Sequence, residues 1–184
     1  MVEILNKSFE KYISVEEIQE RVALLAQEIN ADFNGKEVEF IAILDGSFMF
    51  ASDLFKKINL QTTISFLKVK SYDATESTGK INELIGLQTK LTGKHIIILE
   101  DIVDTGATMD YVVETLQKQN PASISVVTLM FKPEAFKGKN TPKYIGFKIT
   151  NEFIIGYGMD FDGYGRNLES IYQIKGSDPK IPLC

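Results

Sequence analysis

The chain has 184 residues, 44% apolar and 24% charged, which fits one soluble globular domain able to bury a core without staples. Lys plus Arg number 20 against 25 Asp plus Glu, a net charge of −5, so nucleic acid and anionic membranes are poor default partners, while a local basic pocket for a small anion remains open. The one cysteine, Cys184, excludes an internal disulfide and fits a reducing compartment. No run approaches the roughly 18 apolar residues of a membrane helix. The first residues, with Glu3, Lys7, Glu10 and Lys11, lack an apolar signal core, so a cytoplasmic location is expected.

In chain order, Val15, Ile18, Val22, Leu25 and Ile29 recur at spacings of three and four and predict an amphipathic helix. Ser14 and Glu17 form a capping box at its start, and Asn34-Gly35 ends it as a turn. VEFIAIL (38–44) reads as a buried strand, broken by DGSFMF. ASDLFKKINL (51–60) reads as a short helix, and TTISFLKVKSY (62–72), rich in β-branched and aromatic residues, as a second strand. DATESTGKI (73–81) is small and polar, a loop or hairpin tip, and NELIGLQTKLTG shows no clean period. KHIIILEDIV is the most hydrophobic strand, of the type buried on both faces in a parallel sheet. ATMDYVVETLQKQNP reads as a helix stopped at Asn120-Pro121. SISVVTLMFK (123–132) and YIGFKI (144–149) are further strands, followed by an aromatic and glycine-rich end. This alternation predicts an α/β fold with a mostly parallel sheet.

Ligands of such sheets sit at the carboxyl ends of the strands, and EDIVDTGATM lies at one. Thr105, Gly106, Ala107 and Thr108 can aim successive N–H groups at one anion at a helix start, with Gly106 permitting close approach and Asp104 at its edge. Glu100 and Asp101 are adjacent and would point to opposite faces of a regular strand; a break there would bring both to the rim. Carboxylates accept hydrogen bonds and vicinal sugar hydroxyls donate them. A sugar phosphate therefore reconciles acids with an anion turn, with Asp104 near the anomeric carbon as a general base or charge stabiliser. The alternative is that Asp104 and Thr105 only cap the helix. Neither a G-x-x-x-x-G-K-[ST] nor a G-x-G-x-x-G motif is present.

At these residues the sequence resembles the type I phosphoribosyltransferases, and more closely the hypoxanthine-guanine members. LDGSFMF, KSYDATESTGKI, LTGKHIIILEDIVDTGATM, LMFK and EFIIGYGMDFDGYGRNL occur in the family's order, from about Val38 to Tyr172. The resemblance implies one domain over 1–184: a mostly parallel sheet flanked by helices, with a small hood built from the chain ends and about 143–184. It implies transfer of phosphoribose from 5-phosphoribosyl-1-pyrophosphate to a 6-oxopurine with Mg²⁺, in a homodimer or homotetramer. By residue, it implies that Thr105–Thr108 hold the 5′-phosphate and that Glu100 and Asp101 hold the ribose hydroxyls. It puts Asp104 by the purine N7, with Lys132 donating to the 6-oxo group. Phe153 would stack on the base, and the Ile154 backbone would read its edge. Asp160, beside the base, would bind magnesium with help from Glu100 and Asp101, since Mg²⁺ takes one or two protein carboxylates plus substrate oxygens. Arg166 would clamp pyrophosphate with the Asp45-Gly46 loop, and Ser71 and Tyr72 would open a loop that closes over the substrates. Read alone, Lys132 would be solvated and Phe153 and Ile154 plain core. Asp162 is left as loop and His95 as structural.

One departure stands out: family members commonly carry Lys where this chain has Asp45, often beside a cis peptide. A backbone donor survives that substitution, but the carboxylate would repel pyrophosphate unless a cation intervenes. A regulator that senses phosphoribosyl pyrophosphate and binds nucleic acid is the competing reading; it would need a basic face or an added module. A pyrimidine-specific transferase would lack the arrangement of Lys132 with Phe153 and Ile154.

Overall fold

A computed structural model describes residues 1–70, 82–85 and 89–176. The expected polar loop with Ser71 and Tyr72, and the terminal Cys184, lie outside the described residues. In chain order the elements are β1 (Val2–Ile4), β2 (Lys7–Ile13), α1 (Val15–Asp32), β3 (Val38–Leu44), α2 (Phe48–Phe55), β4 (Thr62–Lys70), β5 (Asn82–Ile85), β6 (His95–Val103), α3 (Ala107–Gln117), β7 (Ser123–Phe131), β8 (Tyr144–Lys148), β9 (Ile154–Ile155) and β10 (Ile171–Ile174). The main sheet runs β5-β4-β3-β6-β7-β8. It is parallel from β4 to β8, with β5 antiparallel at one edge.

The centre of this sheet is β6. Ile96, Ile97, Ile98 and Leu99 are all fully buried, and strand alternation divides them between two faces. Ile97 and Leu99 pack with Ile18, Val22, Leu25 and Ile29 of α1 and Phe50 and Leu54 of α2. Ile96 and Ile98 pack with Met109, Val112 and Leu116 of α3. The helix expected from its spacing is therefore α1. Its capping box is formed: the Ser14 N–H donates to Glu17 at 2.8 Å, and the Glu17 N–H donates to Ser14 Oγ at 3.3 Å.

Two expectations change. The second helix was expected over 51–60, after a break at DGSFMF, but α2 already begins at Phe48. Buried Ser47 ties the turn down, its Oγ donating to the Ile43 carbonyl at 2.5 Å while its own carbonyl accepts from the Ala51 N–H at 2.7 Å. Only Asp45 and Gly46 are then needed to leave the strand, and Phe50, Ala51 and Leu54 are spaced to face the core. The hood was expected to include residues from about 143 onward. Instead Tyr144–Lys148 pairs in parallel with β7, Val127 opposite Tyr144 and Phe131 opposite Lys148. Gly146 permits the close pairing, since a Cβ there would lie 2.4 Å from the Leu129 carbonyl oxygen. Arg21 of α1 donates to the carbonyls of Ile145 and Gly146 at 2.6 and 2.9 Å. The Tyr144 hydroxyl donates to Asp32 at 2.6 Å.

The second sheet is antiparallel, in the order β1-β2-β10-β9. It is tied to the main body through Tyr157, which is 1% exposed and whose hydroxyl donates to Asp53 of α2 at 2.7 Å. The same carboxylate oxygen accepts from Gln19 of α1 at 2.5 Å. Among the described residues no helix is long and apolar enough to cross a membrane. Tyr157→Phe removes one of these hydrogen bonds and no packing volume. It is expected to lower the stability by about 1 kcal/mol, read from the midpoint of urea unfolding at unchanged slope; an unmoved midpoint would show that the tie contributes nothing.

Candidate active site

The carboxyl ends of β6 and β7 and the segment around β9 border a cavity of about 150 Å³ lined by Asp101, Ile102, Asp104, Lys132, Phe153, Ile154, Met159 and Asp160. Six residues singled out from sequence thus meet in one place. Phe153 packs its edge against Phe161, with ring centroids 5.7 Å apart. Ile154 is buried at the start of β9.

Lys132 is the clearest change from its reading in isolation. It is 4% exposed, and its Nζ lies 3.0 Å from Asp104 Oδ2. Its backbone N–H donates to the Val103 carbonyl at 3.0 Å, which locks the end of β7 beside the end of β6. A buried lysine requires a partner, and Asp104 is that partner.

The Thr105–Thr108 turn gives α3 only one long side-chain hydrogen bond at its start. The N-cap is Gly106, with φ +86 and no side-chain hydrogen bond to the helix start. The nearest approach is Thr105 Oγ1, at 3.4 Å from the Ala107 N–H. Thr105 thus takes up part of the capping role, while Asp104 is turned to Lys132; a helix start of this kind leaves further amides that an anion can use. Gly106 is required twice, by its positive φ and because a Cβ would sit 2.5 Å from the ring of Phe136. The Thr105 carbonyl accepts from the Lys137 N–H at 3.0 Å, holding the turn to the segment after β7.

The acid pair differs from expectation. No break interrupts β6, which runs through to Val103. Asp101 lines the cavity, whereas Glu100 does not. Glu100 instead has a buried Oε2 with no hydrogen-bond partner. Burial, and after it the charge of Asp101, lifts the Glu100 pKa well above the usual carboxylate range. Burial also pushes Asp101 up to about 6, against the pull of the Ile102 N–H at 2.9 Å and of Arg166, and with a small push from Asp160. Two carboxylates held in an environment that disfavours their charge form a place for a cation or a donor. Among the described residues, however, no three His, Cys, Asp or Glu side chains are gathered as a metal site. Any ion here would need oxygens from a ligand as well.

Two loops close over Asp101. A Cβ at Gly46 would fall 1.7 Å from Asp101 Oδ2, and one at Gly158, where φ is +101, would fall 2.0 Å from the Gly46 carbonyl oxygen. Both glycines are needed for this approach. The peptide between Leu44 and Asp45 is cis. Asp160 does not stand free. Its carboxylate meets Arg166 at 2.7 Å and accepts from the Gly163 N–H at 2.6 Å, and Arg166 also donates to the Gly158 carbonyl at 2.7 Å. Asp45 is answered by a residue the sequence reading did not single out: Lys68 of β4 donates to both of its oxygens, at 2.9 and 2.8 Å. The signal that would have found Lys68 is register, since parallel pairing sets Lys68 beside Leu44. His95 lies at the other end of β6, its Nδ1 2.7 Å from Ser123 Oγ.

A family model described as a phosphoribosyl transferase domain matches residues 14–162. Hypoxanthine-guanine phosphoribosyltransferase from Staphylococcus aureus is 38% identical over 171 residues, covering 92% of this chain and 96% of that protein. The enzyme of the same name from Dictyostelium discoideum is 39% identical over 173 residues, covering 91% and 96%. A solved structure of a hypoxanthine-guanine phosphoribosyltransferase from Bacillus anthracis superposes with a TM-score of 0.86 at 39% identity, covering 92% of this chain and 99% of that one.

The carboxyl of Asp101 has a folded-state pKa of about 6 against an ordinary 3.8. As pH rises the unfolded chain loses this proton first, so between these values the folded state binds more protons and stability falls with pH. Above about pH 6 the loss is complete, on the order of 3 kcal/mol. Asp101→Asn cannot titrate. Its melting temperature relative to the unchanged protein is expected to climb between about pH 4.5 and pH 7, measured by thermal melts without ligand. A pH-independent difference would contradict the burial of this charge.

Proposed function

The chain belongs to the phosphoribosyltransferase family, and on that premise we propose how its residues divide the work of purine salvage. The reaction joins a 6-oxopurine, hypoxanthine or guanine, to 5-phosphoribosyl-1-pyrophosphate and yields IMP or GMP with pyrophosphate. The observation that carries the assignment of residues is the Asp104–Lys132 pair, 3.0 Å apart on the wall of the cavity. A 6-oxopurine protonated at N7 presents an acceptor, O6, next to a donor, N7–H. Lys132 and Asp104 present a donor next to an acceptor at matching spacing. Adenine would instead set its amino group against the ammonium of Lys132. Phe153 covers the face of the base, and the Ile154 backbone borders its edge.

The 5′-phosphate sits on the amides of Thr105–Thr108, and Asp101 and Glu100 take the ribose hydroxyls. Held this way, N9 of the base faces the anomeric carbon opposite the departing pyrophosphate. As N9 bonds to that carbon and the carbon–oxygen bond to pyrophosphate breaks, Asp104 accepts the N7 proton, and its negative charge steadies the positive charge developing on the ribose. The pyrophosphate leaves over Asp45-Gly46 toward Arg166, whose planar fork suits phosphate oxygens. Most of the acceleration is positioning and preorganised charge.

Magnesium would fit the orphaned Glu100 oxygen and the raised Asp101 carboxyl; the resemblance adds Asp160, which here pairs with Arg166. When bound, it supplies neutralising charge to the diphosphate. With few protein ligands gathered, most of its oxygens would come from substrate and water. We place the enzyme in the cytoplasm as a homodimer or homotetramer, as the family resemblance implies. Nothing favours the nucleic-acid-binding regulator: the relatives compared are transferases by name.

The direct test offers hypoxanthine, guanine, xanthine and adenine separately with phosphoribosyl pyrophosphate and Mg²⁺. Turnover of 6-oxopurines and none of adenine is expected. Asp104→Asn should lower kcat by about 10²–10⁴-fold while phosphoribosyl pyrophosphate still binds; an unchanged kcat would remove Asp104 from the proton transfer. Lys132→Ala should erode the discrimination against adenine, and if the preference survives intact, Lys132 does not read the 6-position.

A further inference from the structure

A carboxylate in a loop that receives pyrophosphate ought to weaken binding, yet Asp45 holds that position. Its partner Lys68 comes from the neighbouring parallel strand, where Lys68 is in register with Leu44, so both side chains stand at the carboxyl edge of the sheet. Lys68 reaches both oxygens of Asp45, and the pair is partly open to solvent, with side-chain exposures of 35% and 49%. On the far side of the same loop Gly46 touches Gly158, whose carbonyl accepts from Arg166. Two cations thus flank Asp45-Gly46, and each rests on an acid: Lys68 on Asp45, Arg166 on Asp160.

We propose that Lys68 is the second cation of the pyrophosphate subsite, set in place by Asp45. The positive side chain that related enzymes commonly carry in the loop itself is here supplied by β4. A solvent-exposed ion pair is weak and exchanges readily. A diphosphate oxygen carries more charge than a carboxylate and forms strong charge-assisted bonds. Binding therefore draws Lys68 from Asp45 to the diphosphate, much as Arg166 leaves Asp160. This rests on the reading that pyrophosphate departs over Asp45-Gly46.

The experiment compares the unchanged enzyme with Lys68→Ala, Lys68→Arg, Asp45→Asn and Arg166→Ala. It reads product inhibition by pyrophosphate, the KM for phosphoribosyl pyrophosphate and the KM for hypoxanthine. Lys68→Ala should weaken pyrophosphate and phosphoribosyl pyrophosphate about tenfold and leave the hypoxanthine KM within about twofold, as loss of one charged contact requires. Lys68→Arg should restore most of the loss, and Asp45→Asn should not weaken pyrophosphate. The proposal is overturned if Arg166→Ala weakens pyrophosphate and Lys68→Ala does not. Equal rises in both KM values with a lowered melting temperature also overturn it, since that pattern marks a structural loss. If neither variant moves pyrophosphate inhibition, the pyrophosphate reading itself fails and takes this proposal with it.

Discussion

Everything at the active site follows from a hydrophobic strand that ends in charge. Ile96 to Leu99 are fully buried between two layers of helices, so β6 cannot slide or turn over without exposing four large side chains. Burying one such side chain is worth about 1.5–3 kcal/mol, enough together to hold Glu100, Asp101 and Asp104 where water is scarce. The acids do not stabilise the protein in that position. Asp104 is matched by Lys132, Asp101 has only part of what its charge needs, and Glu100 keeps an orphaned oxygen. The Glu100 and Asp101 carboxyls are left with unmet demand for donors or positive charge.

The second constraint is the absence of side chains. Gly46, Gly106 and Gly158 let three backbone turns approach to distances that any Cβ would block. One packs on Asp101, one brings the turn before α3 against Phe136, and one joins the first loop to the segment bearing Asp160 and Arg166. Charged groups from distant parts of the chain can share one small cavity because the loops that carry them are thin at their crossing points.

Much of this was legible in the sequence. The capping box of α1, the bounds of β3 and the double burial of β6 follow from period, cap chemistry and β-branched runs. The strand-to-helix turn at Gly106 follows from Thr-Gly-x-Thr after a buried strand. What was not legible depends on contacts between strands. Lys132 reads as a solvated lysine until β7 is placed beside β6, and Lys68 has no motif until register sets it next to Leu44. The pattern of YIGFKI shows a strand, but the resemblance placed it in the hood, and only pairing with β7 shows which sheet it joins. The start of α2 was hidden because DGSFMF contains turn residues, while Ser47, which anchors the helix, works through a carbonyl four residues back.

The grip of Arg21 on β8 has a consequence for how copies of this chain can meet. Successive carbonyls of a strand point to opposite sides, so of the two that Arg21 occupies, Ile145 and Gly146, one faces away from β7 toward the open border of the sheet. Open borders recruit extra strands from other molecules by backbone pairing. Here an incoming strand would have to evict a guanidinium anchored on α1. At the β8 border the backbone is thus partly taken up by a side chain of this chain's own α1.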